Sequence, residues 1–138
     1  MGRYLIACVI GLLPGVAQAQ SLPSPSTWVN DKGSILTINS VDGGTGKVTG
    51  NFVNNAPNTG CQGAPGFDLS GKVENNKFVF YVTFKNQTMD CHTITLWTGD
   101  IAADKISTSW ELVFLNSTNG KVADGFATST GSDLFTKQ

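Results

Sequence analysis

From Ser26 to the end of the chain, short runs of alternating apolar and polar residues are divided by clusters of Gly, Asn and Asp. A period of two marks a strand with one buried face. No stretch of useful length places apolar residues at helical spacing. The runs are Ser26–Asn30, Ser34–Ser40, Lys47–Asn54, Asp68–Glu74, Lys77–Lys85, Cys91–Ile101, Lys105–Leu115 and a last one from Lys121 through Thr128 to Phe135. Asp42-Gly43-Gly44-Thr45-Gly46 and Asn75-Asn76 read as hairpin turns, and Asn55 to Gly66 is the one long irregular loop. Eight strands joined mostly by short connections pair in sequence order. The pattern therefore predicts an all-β fold, an eight-stranded antiparallel up-and-down β-barrel wide enough for one small ligand. A two-sheet sandwich fits the same pattern as the runner-up.

Parity within the runs says what the barrel would hold. Alternate side chains of a strand share a face, so Thr93, Thr95 and Trp97 point one way, as do Thr108 and Trp110 on the next run. A core built only for packing would favour Val, Ile and Leu at such positions. Tryptophans interleaved with hydroxyls instead resemble the lining of a small-molecule site. Phe78, Phe80, Val82 and Phe84 share one face of their run, and Val79, Tyr81 and Thr83 share the other. Both faces are fairly apolar, so the outer one is a candidate for burial against a second subunit.

The N-terminal residues do not fit the pattern. Met1-Gly2-Arg3 is a short positive segment, Tyr4 to Leu13 is apolar apart from Gly11, and Pro14-Gly15 precedes Ala17-Gln18-Ala19, a small-x-small cleavage signal. About ten apolar residues are too few to span a bilayer, which needs about twenty. Residues 1–19 are thus expected to be a cleaved signal peptide and 20–25 a flexible leader, followed by one domain over 26–138. The mature protein would be secreted or periplasmic. No later run is long and apolar enough to suggest a membrane-spanning helix.

Charge and cysteine content narrow the function. Arg3 is the only arginine, so the domain carries Lys alone against ten Asp and Glu, without basic clusters. That excludes nucleic acid and anionic membrane as natural partners. Cys8 leaves with the signal, and the two remaining cysteines of an exported chain, Cys61 and Cys91, point to one disulfide. A metal site would need more ligands than His92, the only histidine, supplies, and none is expected. Catalysis finds little support. Glu111 follows Trp110 and so faces away from it, no carboxylate pair is placed at the mouth of the barrel, and there is no Gly-x-Ser-x-Gly elbow.

Six segments, in order, carry a resemblance. They are Trp28-Val29-Asn30-Asp31-Lys32-Gly33-Ser34, Val48-Thr49-Gly50-Asn51-Phe52, Phe84-Lys85-Asn86, His92-Thr93-Ile94-Thr95-Leu96-Trp97-Thr98-Gly99, Ile106-Ser107-Thr108-Ser109-Trp110 and Gly131-Ser132-Asp133-Leu134-Phe135-Thr136-Lys137. Together they resemble the avidin/streptavidin family of biotin-binding proteins from Ser26 to the end, and the Cys61/Cys91 pair resembles its disulfide-bearing dimeric bacterial branch. The resemblance implies a non-enzymatic, high-affinity, non-covalent biotin binder with no cofactor. Asn30 and Ser34 would donate to the ureido oxygen, and Asn54 and Asp133 would accept from the two ureido N–H groups. Thr95 would lie near the thioether sulfur and Thr93 near the valeryl carboxylate, with Phe84, Trp97 and Trp110 as aromatic walls.

Two departures from the family pattern matter. Phe52 stands where the family usually has a Tyr that gives a third hydrogen bond to the ureido oxygen. A barrel that has weakened or lost biotin binding is therefore the alternative reading. Near Gly125-Phe126 there is no Trp of the kind that tetrameric relatives lend to a neighbour's site, which implies a homodimer. The resemblance also implies that the disulfide ties the Asn55–Gly66 loop over the site as a pre-formed lid.

Overall fold

The structure, a computed structural model, describes residues 21–115 and 128–138. Eight strands follow one another: β1 (Ser26–Asn30), β2 (Ile35–Val41), β3 (Lys47–Val53), β4 (Phe67–Glu74), β5 (Lys77–Lys85), β6 (Asp90–Ala102), β7 (Lys105–Phe114) and β8 (Ser129–Lys137). Each pairs antiparallel with the next, and β8 returns to β1, giving a closed barrel in sequence order. The sandwich alternative is thereby excluded. Seven of the predicted runs match strands to within a residue or two. The eighth was expected to start at Lys121; its first part, with Gly125-Phe126, lies outside the described residues, as do residues 1–20.

Short polar side chains shape the connections. In the β1–β2 turn, Asn30 Oδ1 accepts from the backbone N–H groups of Lys32 (3.1 Å) and Ser34 (2.8 Å), and Gly33 takes a φ of +84°. Asp42 Oδ1 accepts from the N–H groups of Gly44 and Thr45 in the β2–β3 hairpin. Such bonds replace the ladder where the chain reverses. Asn75 opens the two-residue β4–β5 turn at φ +53°, the left-handed region that Asn tolerates better than most residues.

The interior divides along the barrel axis. At one end Trp28, Phe78, Phe80, Ile101, Ile106 and Phe135 are fully buried and fill the barrel. Along β5, β6 and β7 the inward positions then change character, passing from Phe80 to Phe84, from Ile101 to Trp97, Thr95 and Thr93, and from Ile106 to Trp110. Phe78, Phe80 and Trp97 stack in series, with ring centroids 4.9 Å and 4.8 Å apart, so the core ends in an aromatic floor. Leu22, within the expected leader, also packs into the core.

Candidate functional site

Above that floor lies a cavity of about 480 Å³, mostly apolar in lining and open at one end of the barrel. Asn30, Ser34, Phe52, Asn54, Phe84, Thr93, Thr95, Trp97, Trp110 and Asp133 all line it. Residues as far apart in sequence as Asn30 and Asp133 converge because β1 and β8 close the barrel side by side. Trp97 and Trp110 are register partners on β6 and β7, which brings both indoles to one wall. Phe52 meets Trp97 at 4.9 Å and Phe84 at 6.1 Å between ring centroids, completing an aromatic cage.

The polar groups near the β1–β2 turn are already fixed. Asn30 spends its amide oxygen on the turn, which leaves its Nδ2 without a partner among the described residues. Ser34 Oγ accepts from Asn55 N (3.0 Å) and lies 3.5 Å from Asn54 Oδ1. Asn54 donates through Nδ2 to Thr59 Oγ1 and the Gly60 carbonyl, both at 2.9 Å, and its Oδ1 accepts from Ala56 N at 3.1 Å. Asp133 is buried; its Oδ2 accepts from Trp97 Nε1 (2.9 Å) and its Oδ1 from Lys32 Nζ (2.6 Å). A carboxylate has about four acceptor sites, so both oxygens keep capacity for another donor. The Asp133 carboxylate raises the Lys32 ammonium above its ordinary pKa. Partial burial pushes Asp31 up, but the Leu134 N–H and Lys32 outweigh it and hold the carboxyl below its ordinary value.

The hydroxyls of Thr93 and Thr95 differ: both residues are buried, yet neither hydroxyl has a partner among the described residues. Thr108 shares the inward parity, but its hydroxyl donates to the Asp133 carbonyl at 2.9 Å and so supports β8. Trp110 depends on a glycine. A Cβ on Gly131, its register partner, would overlap the indole, so the ring lies against bare β8 backbone.

The long loop between β3 and β4 forms one rim. Cys61 and Cys91 are joined, with Cα atoms 6.2 Å apart, within the ordinary range for a disulfide. Asn86 Nδ2 donates to the Gly66 carbonyl (3.1 Å), and Gly63 N to the Asn54 carbonyl (2.9 Å), so both ends of the loop are anchored. Gly66 has a φ of +82°, and a Cβ there would sit 2.6 Å from Asn51 Oδ1, which restricts the position to glycine.

The lining includes residues that sequence reasoning missed. Leu112 and Phe114 continue the inward parity of Trp110, so extending that pattern by two steps would have found them. Ala56, Thr59 and Gly60 belong to the irregular loop, where no periodicity operates. Lys32 reaches the cavity from a turn through its long side chain. Chemically, the cavity suits a ligand whose uncharged head, with N–H donors and a polar oxygen, sits at one end of an apolar body.

Comparison with known proteins identifies the family and matches the fold. A sequence model of the avidin family matches residues 18–138, and the chain belongs to that family. Afifavidin from Afifella pfennigii is 39% identical over 125 residues, covering 87% of this chain and 73% of its own. Among solved structures, apo shwanavidin superposes with a TM-score of 0.75 at 33% identity, covering 86% of this chain and 99% of its own. The bradavidin2–biotin complex gives 0.69 at 35% identity, covering 85% and 99%.

Proposed function

We propose that the protein binds biotin non-covalently inside the barrel. The observation that carries this reading is the convergence of its polar and aromatic groups on one cavity of about 480 Å³. The ureido ring meets Asn30, Ser34, Asn54 and Asp133, the bicycle lies among Phe52, Trp97 and Trp110, and the tail runs past Thr95 and Phe84 to Thr93. Related proteins crystallised with biotin, bradavidin2 among them, support the ligand's identity. Polar groups held in place before the ligand arrives lower the cost of ordering them on binding. Calorimetric titration with biotin should show one tight site per chain. Absence of heat, together with failure to be retained on biotin-agarose, would favour the alternative of a barrel that has lost the ligand, for which Phe52 is the specific reason.

The protein is exported, through the segment 1–19, to a secreted or periplasmic location where the Cys61–Cys91 disulfide persists. It works as a homodimer. Val79, Tyr81 and Leu96, exposed by 40%, 47% and 41%, give the outer face of β5 and β6 an apolar strip suited to a second copy. Light scattering should give twice the chain mass; a stable tetramer would contradict the pairing.

A further inference from the structure

The seam that closes the barrel is its shortest. β1 pairs with β8 only over Trp28–Asn30 against Phe135–Lys137, whereas β6 and β7 pair from Thr93 to Ala102. Beyond Asn30 the turn carries the seam onward. Asp31 N donates to the Leu134 carbonyl at 3.1 Å, and Leu134 N donates to Asp31 Oδ1 at 3.1 Å. Lys32 then reaches across with its ammonium, donating to the Ser132 carbonyl at 2.9 Å and to Asp133 Oδ1 at 2.6 Å, with Asp31 Oδ2 at 3.5 Å. The turn that presents Asn30 and Ser34 is in this way fastened to the strand that presents Asp133.

We infer that Lys32 is a positioning residue of the binding site, bracing the Asp133 carboxylate from one side while the Trp97 indole holds it from the other. The inference rests on the biotin reading for its effect on ligand. A buried carboxylate that loses its cation is free to turn toward water, which takes a charged acceptor away from the ligand N–H. Among the described residues Lys32 is the one cation paired with Asp133. Its three N–H groups all have acceptors, so Lys32 shapes the carboxylate and leaves direct contact with the ligand to Asp133.

The test compares Lys32→Met with Lys32→Arg. The first keeps the stem and removes the charge; the second keeps a cation able to span the seam. In the ligand-free protein, the Trp97 indole N–H resonance reports on Asp133, whereas that of Trp28, bonded to Ser26 Oγ at 2.9 Å, reports on the fold. Lys32→Met should move the Trp97 resonance, leave that of Trp28, and speed biotin release by about tenfold or more. Lys32→Arg should restore both readouts toward wild type. If Lys32→Met does not fold, Lys32→Gln, polar at this half-exposed position, gives the same reading. An unmoved Trp97 resonance, or unchanged or slower release from the uncharged variant, overturns the inference. Failure of the wild-type protein to bind biotin would instead overturn the ligand assignment, and the Trp97 shift would still decide the bracing of Asp133.

Discussion

The two ends of the cavity are built on different terms. Near the β1–β2 turn, Asn30, Ser34, Asn54 and Asp133 are engaged by protein partners. Toward the opening, the hydroxyls of Thr93 and Thr95 have no partner among the described residues, and order comes instead from the disulfide-tied loop and aromatic packing. The first end settles orientation in advance through hydrogen bonds. The second encloses the ligand by shape. On the biotin reading, the contrast separates what fixes the ligand's head from what retains its tail.

Removing the disulfide should produce the largest change, and at the loop end. The cysteines lie 30 residues apart, so replacing both with Ser should lower stability by about 3–4 kcal/mol in the chain-entropy model, read as a denaturant midpoint. Biotin release should also quicken as the rim loosens. An unchanged midpoint would mean that the loop's hydrogen bonds suffice without the bridge.

Asp133→Ala attacks the other end. It removes the ligand's carboxylate acceptor and the partner of both Lys32 and Trp97, so biotin affinity should fall on the order of a hundredfold. Unchanged release from this variant would show that the head group does not lie against β8. Phe52→Tyr should act in the opposite direction, slowing release by up to about tenfold through one added hydrogen bond to the ureido oxygen. Faster release would mean that the ring faces another part of the ligand. Thr95→Val should have the smallest effect, a few-fold loss of affinity at about 0.5–1 kcal/mol, because the hydroxyl leaves no protein partner stranded. A loss as large as that of Asp133→Ala would erase the distinction between the two ends.

Most of the fold was legible because strand parity is a local property. Thr93, Thr95, Trp97 and Trp110 announce their shared face within a few residues of one another, and the turns carry Gly, Asn and Asp where the backbone needs them. The closing of β8 onto β1 is not local, and Asp133 gained a place beside Asn30 only through family resemblance. Lys32 was illegible for a different reason: a turn has no facing pattern, and a flexible side chain can reach several ångströms from its own backbone. Thr108 shows the converse. Its parity was read correctly, but its hydroxyl is spent on the backbone of β8.

Gly131 gives the site a means of adjusting its width. The Trp110 indole rests where β8 offers no side chain, so the position of one wall is set by an atom that is missing. Even one methyl group there would overlap the indole and force that wall to shift, without touching Asn30, Ser34, Asn54 or Asp133. Breadth and polar bonding can therefore drift separately in this barrel: a single glycine sets where one wall stands, while Asn30 and Asp133 keep their own hydrogen bonds at the other end.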